Sequence, residues 1–190
     1  MNVEWWVEKL NPMVERDHFI REALLKRGDL ADTYHPEMEK LHLENARKLQ
    51  SLIDQKSFPV LSNAGEQGVR LSWLIIQHSI SSPDFMKESL VQMRLAASTH
   101  DYPLELLAYT EDRIAFFEGR AQLYGTNSDW REGELKATPI EDPEKLSARR
   151  RSMGLPPMMA ISPMNQERPP KDPVKKAREF ELWLKKVGWR

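Results

Sequence analysis

The chain has 190 residues, 40% hydrophobic and 30% charged, with 28 Lys+Arg against 29 Asp+Glu. That mixture is globular, and the length suits one domain, or one domain with a tail, whose core needs neither cross-links nor a structural metal. Cysteine is absent, which excludes disulfides, thiolate nucleophiles and cysteine-ligated zinc or iron–sulfur centres, and is compatible with a reducing compartment.

The first segment, MNVEWWVEKLNPMVERD, is acidic and broken by Pro12. It lacks the basic start and unbroken apolar core of a secretory leader, so a cytoplasmic location is expected. Asn11-Pro12 reads as an N-cap followed by a preorganised first helical position, with Gly28 as the stop. A second helix is predicted from Pro36 to Lys56, because Met38, Leu41, Asn45, Leu49 and Leu52/Ile53 recur at three-to-four-residue spacing. SFPVLSNAGEQG (57–68) reads as a loop with Pro59, Gly65 and Gly68 as breakers. The VRLSWLIIQHSI that follows is apolar nearly all round and predicts a helix buried on most faces. Its densest apolar run, Val69–Ile76, carries Arg70 and Ser72 and is far too short to span a bilayer, so no membrane insertion is expected.

Ser82-Pro83 opens another helix through Ser98, and Pro103 starts the next, with Leu107, Ile114, Phe117 and Ala121 on an apolar stripe and Gly125 as the stop. Asp142-Pro143 opens a short helix through Arg151, ended by Gly154 and Pro156. Eight of the 13 prolines fall between Pro139 and Pro173. The predicted organisation is therefore a helical domain over 1–157, a Pro-rich arm over 158–171, and a last helix over 172–190. That helix has Asp172 as N-cap and Gly188 as stop, with Val174, Ala177, Phe180, Leu184 and Val187 on one face. Such a face must dock on the chain's own core, on a second copy in a homo-oligomer, or on another protein. The expected architecture is mainly α: a compact bundle of about six to seven helices with the arm and an amphipathic C-terminal helix.

Charge is unevenly spread. Residues 143–190 hold 12 Lys+Arg against 5 Asp+Glu, a balance of +7, which leaves −8 for the rest of a chain whose net charge is −1. The basic tail is expected to dock on the acidic remainder of the chain. Nucleic acid is not an expected partner, since the 145–151 run has no interleaved aromatic residue.

The candidates for chemistry are polar residues between Asn63 and Thr126. Gln77 and His78 end the buried helix, where a polar pair must find partners, and histidine suits proton transfer near neutral pH. The bland alternative is a histidine satisfied by a backbone carbonyl. Asp112 is a candidate to orient His78, and Arg113 to bind an anionic group through its planar fork; ordinary salt bridges would also account for both. Gly119 removes bulk on Asp112's face, allowing close approach of a helix or a ligand. Gln122, Tyr124, Gly125 and Thr126 form QLYGT, which either lines a polar pocket or satisfies the helix end. Asn63 precedes the buried helix, where it caps it or borders an anion site. Walker, GxSxG and HExxH signatures are absent. His35 and His42 lack a ligand-type partner at helical spacing, so no metal and no cofactor are expected.

FPVLSNAGEQG, WLIIQH, the DR of YTEDRI, QLYGT, PIEDPE and RRRSMGLPP follow in this order. The set resembles a bacterial family of uncharacterised proteins, a domain of unknown function, over about residues 40 to 157. Ser57-Phe58 departs from the Gly-Trp usual there. The resemblance implies a helical fold and a shared polar set of Asn45, Gln77, His78, Asp112, Arg113, Gln122, Tyr124, Gly125, Thr126, Arg149 and Arg150; it implies no reaction. Two readings follow. In one, a possible hydrolase or lyase uses His78, Asp112 and Tyr124 for acid–base chemistry, while Asn63, Gln77, Arg113, Gln122, Thr126, Arg149 and Arg150 hold an anionic small-molecule or peptide-like ligand. In the other, the polar cluster is structural and function lies on the surface, at the terminal helix or at exposed Trp5, Trp6, Trp130 or Trp189.

Overall fold

A computed structural model of the chain describes residues 3–29, 34–131, 134–158 and 170–190. The middle of the predicted arm, 159–169, lies outside the described residues. Among the described residues are seven α-helices: α1 (Val3–Arg27), α2 (Pro36–Lys56), α3 (Leu61–His78), α4 (Pro83–Ser98), α5 (Leu104–Glu118), α6 (Leu146–Ser152) and α7 (Pro173–Val187). One antiparallel hairpin, β1 (Ser128–Arg131) with β2 (Glu134–Ala137), separates α5 from α6. The fold is mainly α, as expected. Two compact units make it up: Met1–Leu30 with Tyr34–Leu106, and Leu107–Arg190 with Ala31–Thr33.

In the first unit α1 packs along α3, α2 contacts both, and α4 packs on α3. α1 begins nine residues earlier than its Asn11-Pro12 signal predicts and carries Pro12 inside it. An interior proline costs about 3 kcal/mol, but Trp6 and Leu10, both buried, lie in the extra turns. Burying two such side chains offsets that cost at about 1.5–3 kcal/mol each. Asn11 does not cap; its amide donates to Glu15 Oε1 at 2.7 Å. The tryptophan expectation is also corrected: Trp6 and Trp189 are buried, and Trp5 and Trp130 are half-buried.

α2 starts at Pro36 and ends at Lys56, as its apolar spacing predicts, and His35 caps it by accepting the Glu37 N–H at 3.2 Å. The predicted 57–68 loop is shorter than expected, because Leu61 onward is already helical up to a kink at Gly65 (φ 65, ψ 174). Asn63 makes that start: its Oδ1 accepts the Val60 N–H at 2.9 Å and its amide donates to the Phe58 carbonyl at 2.9 Å. Gly65 sits in backbone space that is essentially open to glycine alone, and an added Cβ would meet Val3 Cγ1 at 2.7 Å. Gly65→Ala is expected to lower stability by about 1–3 kcal/mol, read from urea unfolding followed by circular dichroism.

α5, which enters the second unit at Leu107, stops at Gly119 (φ 73), six residues before the expected Gly125. The Gly119 N–H donates to the Phe116 carbonyl at 3.1 Å and the Arg120 N–H to the Ala115 carbonyl at 2.8 Å, closing the last turn. Gly119 is thus a helix terminator, and the Arg190 guanidinium lies against it. α7 is capped by Asp172, which accepts the Lys175 N–H at 2.9 Å, and ends at Gly188 (φ 92). Its apolar face is used unevenly. Val174 is exposed, whereas Leu184 is buried, Phe180 stacks on Phe116 (5.8 Å between centroids), and Trp189 just beyond the helix stacks on Phe117 (5.0 Å).

Candidate functional site

Most of the polar residues of the second unit that stand out in the sequence are bonded to backbone. Asp112 is 0% exposed. Its Oδ1 accepts the N–H of Leu123 (2.7 Å), and its Oδ2 accepts both the N–H and the hydroxyl of Thr126 (3.0 and 2.9 Å). The Tyr124 N–H lies 3.1 Å from each oxygen. Gln122 donates to the carbonyls of Asn127 (2.9 Å) and Thr138 (3.0 Å) and accepts the Asn127 N–H (2.9 Å). The Tyr124 hydroxyl donates to Glu111 at 3.0 Å; burial first, then the Glu111 carboxylate, push the phenol above its ordinary range. Arg149 donates to the Leu123, Glu141 and Asp142 carbonyls, and Arg150 to those of Tyr124 and Pro156. The Arg113 guanidinium lies over the Phe117 ring, 5.7 Å from its centroid. Asp112, Gln122, Arg149 and Arg150 thus hold the turn from 122 to 127 on α5 and α6.

His78 has a different carboxylate partner from the one expected. Its Nδ1 lies 2.9 Å from Asp17 Oδ2, so the orienting role expected of Asp112 is filled by Asp17. Three helices of the first unit converge there. Asp17 follows Leu10, Met13 and Val14 on the buried face of α1, at the spacing that returns a residue to the same side. His42 follows Met38 and precedes Asn45 on the buried face of α2. His78 is the last residue of α3, and Gln77 beside it is buried.

His42 Nε2 is 2.8 Å from the same Asp17 Oδ2, but its N–H does not point at that oxygen. The two imidazole centroids are 5.0 Å apart. Tyr34 closes the far side, with its hydroxyl 2.6 Å from His42 Nδ1. Asp17 is 3% exposed and His42 is buried, whereas the His78 side chain is 23% exposed. Burial alone would raise the Asp17 pKa; the short contacts to His42 and His78, and the charge those rings carry when protonated, outweigh it and hold the carboxyl well below the usual range. Asp17 Oδ1 is buried and takes no hydrogen bond among the described residues.

The ligand atoms of Asp17, His42 and His78 all lie within 4.8 Å of one another. Sequence spacing suggested no metal because it compared His42 only with His35, whereas the partners come from two other helices. The available signal was a carboxylate and an imidazole at core-facing positions of amphipathic helices. An open, mainly apolar groove of about 570 Å³ is lined by Val14, His18, Glu66, Arg70, Trp73 and Leu74. Val14 and Leu74 lie one helical turn before Asp17 and His78 on their helices.

Fold and site together define a mainly α protein with a buried carboxylate flanked by two imidazoles. The chain belongs to a family of unknown function, DUF6624, whose profile matches residues 6–165. No curated protein and no solved structure matches it. The matched span includes Asp17, His42 and His78 and stops short of α7.

Proposed function

We propose that the chain is a cytoplasmic hydrolase or lyase that acts on a small-molecule or peptide-like ligand by acid–base chemistry at Asp17, His42 and His78. One observation carries this reading: a buried carboxylate grips one side of the His78 ring while the ring still reaches solvent. A histidine held in this way presents a fixed edge to a ligand, and a positioned proton-transfer group contributes about 10²–10⁴-fold to a rate. Asp17 orients the ring. His42, backed by Tyr34, is the second imidazole on the same carboxylate. The groove along α1 and α3 offers space for an apolar part of the ligand. The cysteine-free composition is compatible with a reducing cytoplasm, and among the described residues no helix is long and apolar enough to cross a membrane. For the second unit the hydrogen bonds support the other reading, a structural network, because the groups of Asp112, Gln122, Arg149 and Arg150 are taken up by backbone.

The test is a screen of the purified chain against chromogenic esters, phosphoesters and amides, repeated with His78→Ala and Tyr124→Phe. His78→Ala is expected to lower turnover at least about 100-fold with its circular dichroism spectrum unchanged. Turnover that survives His78→Ala but is lost in a folded Tyr124→Phe protein would return the chemistry to the second unit.

A further inference from the structure

We infer that Asp17, His42 and His78 bind one divalent transition-metal ion of the zinc class. Two imidazole nitrogens and one carboxylate oxygen are a ligand set that zinc takes in open sites, three protein ligands leaving a fourth position for water or substrate. The set arises from three separate helices, so its convergence is a property of the tertiary fold and not of local spacing.

The cluster is incompletely satisfied by its own hydrogen bonds. Asp17 is 3% exposed, yet Oδ1 takes no hydrogen bond among the described residues, and the His42 N–H misses Oδ2 at 2.8 Å. A buried carboxylate left in this state is costly, and a cation among the three donors removes the cost. Ligands of a tetrahedral ion at 2.0–2.1 Å sit about 3.3 Å apart. The observed 2.8 and 2.9 Å separations would therefore open by about 0.5 and 0.4 Å as the ion enters between the ligand atoms.

Tyr34 supplies the outer partner. For Nε2 of His42 to ligate, Nδ1 must carry the proton and donate it, and the Tyr34 oxygen is placed to accept at 2.6 Å. Metal-bound histidines nearly always donate their other N–H in this way. The fourth position falls to the His78 side, where the cluster reaches solvent. A water bound there is made more acidic by the ion, which passes the proton-exchanging role from the His78 ring to that water.

The inference rests on the reading that this cluster is the functional centre, but not on catalysis there. The full-length chain, stripped with a chelator, is titrated with Zn²⁺ by calorimetry and with Co²⁺ by visible absorption. One ion per chain is expected, with the intense cobalt bands of four-coordinate nitrogen and oxygen ligation. His42→Ala and His78→Ala should each weaken binding at least about 100-fold, and Tyr34→Phe about 10–100-fold. Glu22→Ala, on the exposed face of α1, should leave binding unchanged. His78 is partly exposed, so its alanine variant is the one whose fold is least at risk; circular dichroism checks it. Wild-type protein that takes up no ion, or His78→Ala protein that binds like wild type, overturns the inference. Turnover that depends on His78 without any ion would remove the metal alone; an ion bound to a chain whose turnover survives His78→Ala would remove the acid–base reading alone.

Discussion

Asp112→Ala is expected to unfold the second unit or leave it barely stable. The carboxylate accepts three backbone N–H groups, of Leu123, Tyr124 and Thr126, and the Thr126 hydroxyl, all from one fully buried position. Alanine leaves those donors without acceptors. Each buried orphan costs about 1–3 kcal/mol, so the three N–H groups alone remove at least about 3 kcal/mol from a total stability of roughly 5–15 kcal/mol. Asp112→Asn keeps one acceptor oxygen but turns an amide donor toward the same N–H groups, and should recover little. Hydrogen exchange by mass spectrometry reads this directly: amides of 107–131 and 134–158 should lose protection, while those of α1 to α4 keep theirs. Unchanged protection over 107–131 would show that the turn is held by something other than Asp112.

The same kind of replacement at the first unit's buried aspartate should have the opposite consequence for stability. Asp17→Leu together with His42→Leu is expected to leave unfolding free energy unchanged or raise it by about 1–4 kcal/mol, the range seen when buried charged pairs give way to packed hydrophobic groups. Leu10, Met13 and Val14 already line that face of α1, and Leu41 and Ala46 that of α2. Function should vanish in the same variant, because two of the three groups on which it depends are gone. Urea unfolding of wild type and double variant side by side measures the first effect, and the metal titration the second. A loss of several kcal/mol in the double variant would mark the cluster as a structural network like the one around Asp112.

Much of the fold was legible because caps and periodicity agree at several elements. Pro36 and Lys56 bound α2 as read, and Asp172 and Gly188 bound α7. Errors fell where tertiary burial overrode a local signal. Pro12 looks like a beginning, yet the extra turns before it bury Trp6 and Leu10. Gly125 looks like a stop, yet Gly119 ends the helix first, and the hairpin after it has strands too short to stand out by alternation. His78 was visible as a polar residue at the end of an apolar helix. Asp17 passes unnoticed and His42 is set aside when weighed against His35, since each lies among its helix's apolar positions and their partners are 61 and 25 residues away along the sequence. QLYGT and the arginines at 149 and 150 drew notice for polarity that serves turn geometry.

The loop from Leu123 to Thr126 amounts to a small anion receptor. Successive N–H groups and a hydroxyl converge on one point, the concavity that elsewhere captures phosphate or a free carboxylate. Here the guest is covalently tethered, brought in on a helix of the same chain. Tethering turns binding into an intramolecular event, so the receptor is occupied at any protein concentration and has no need of a metabolite to close. In a chain cut back to glycine at 112, acetate or formate from solution becomes the natural candidate for the empty seat.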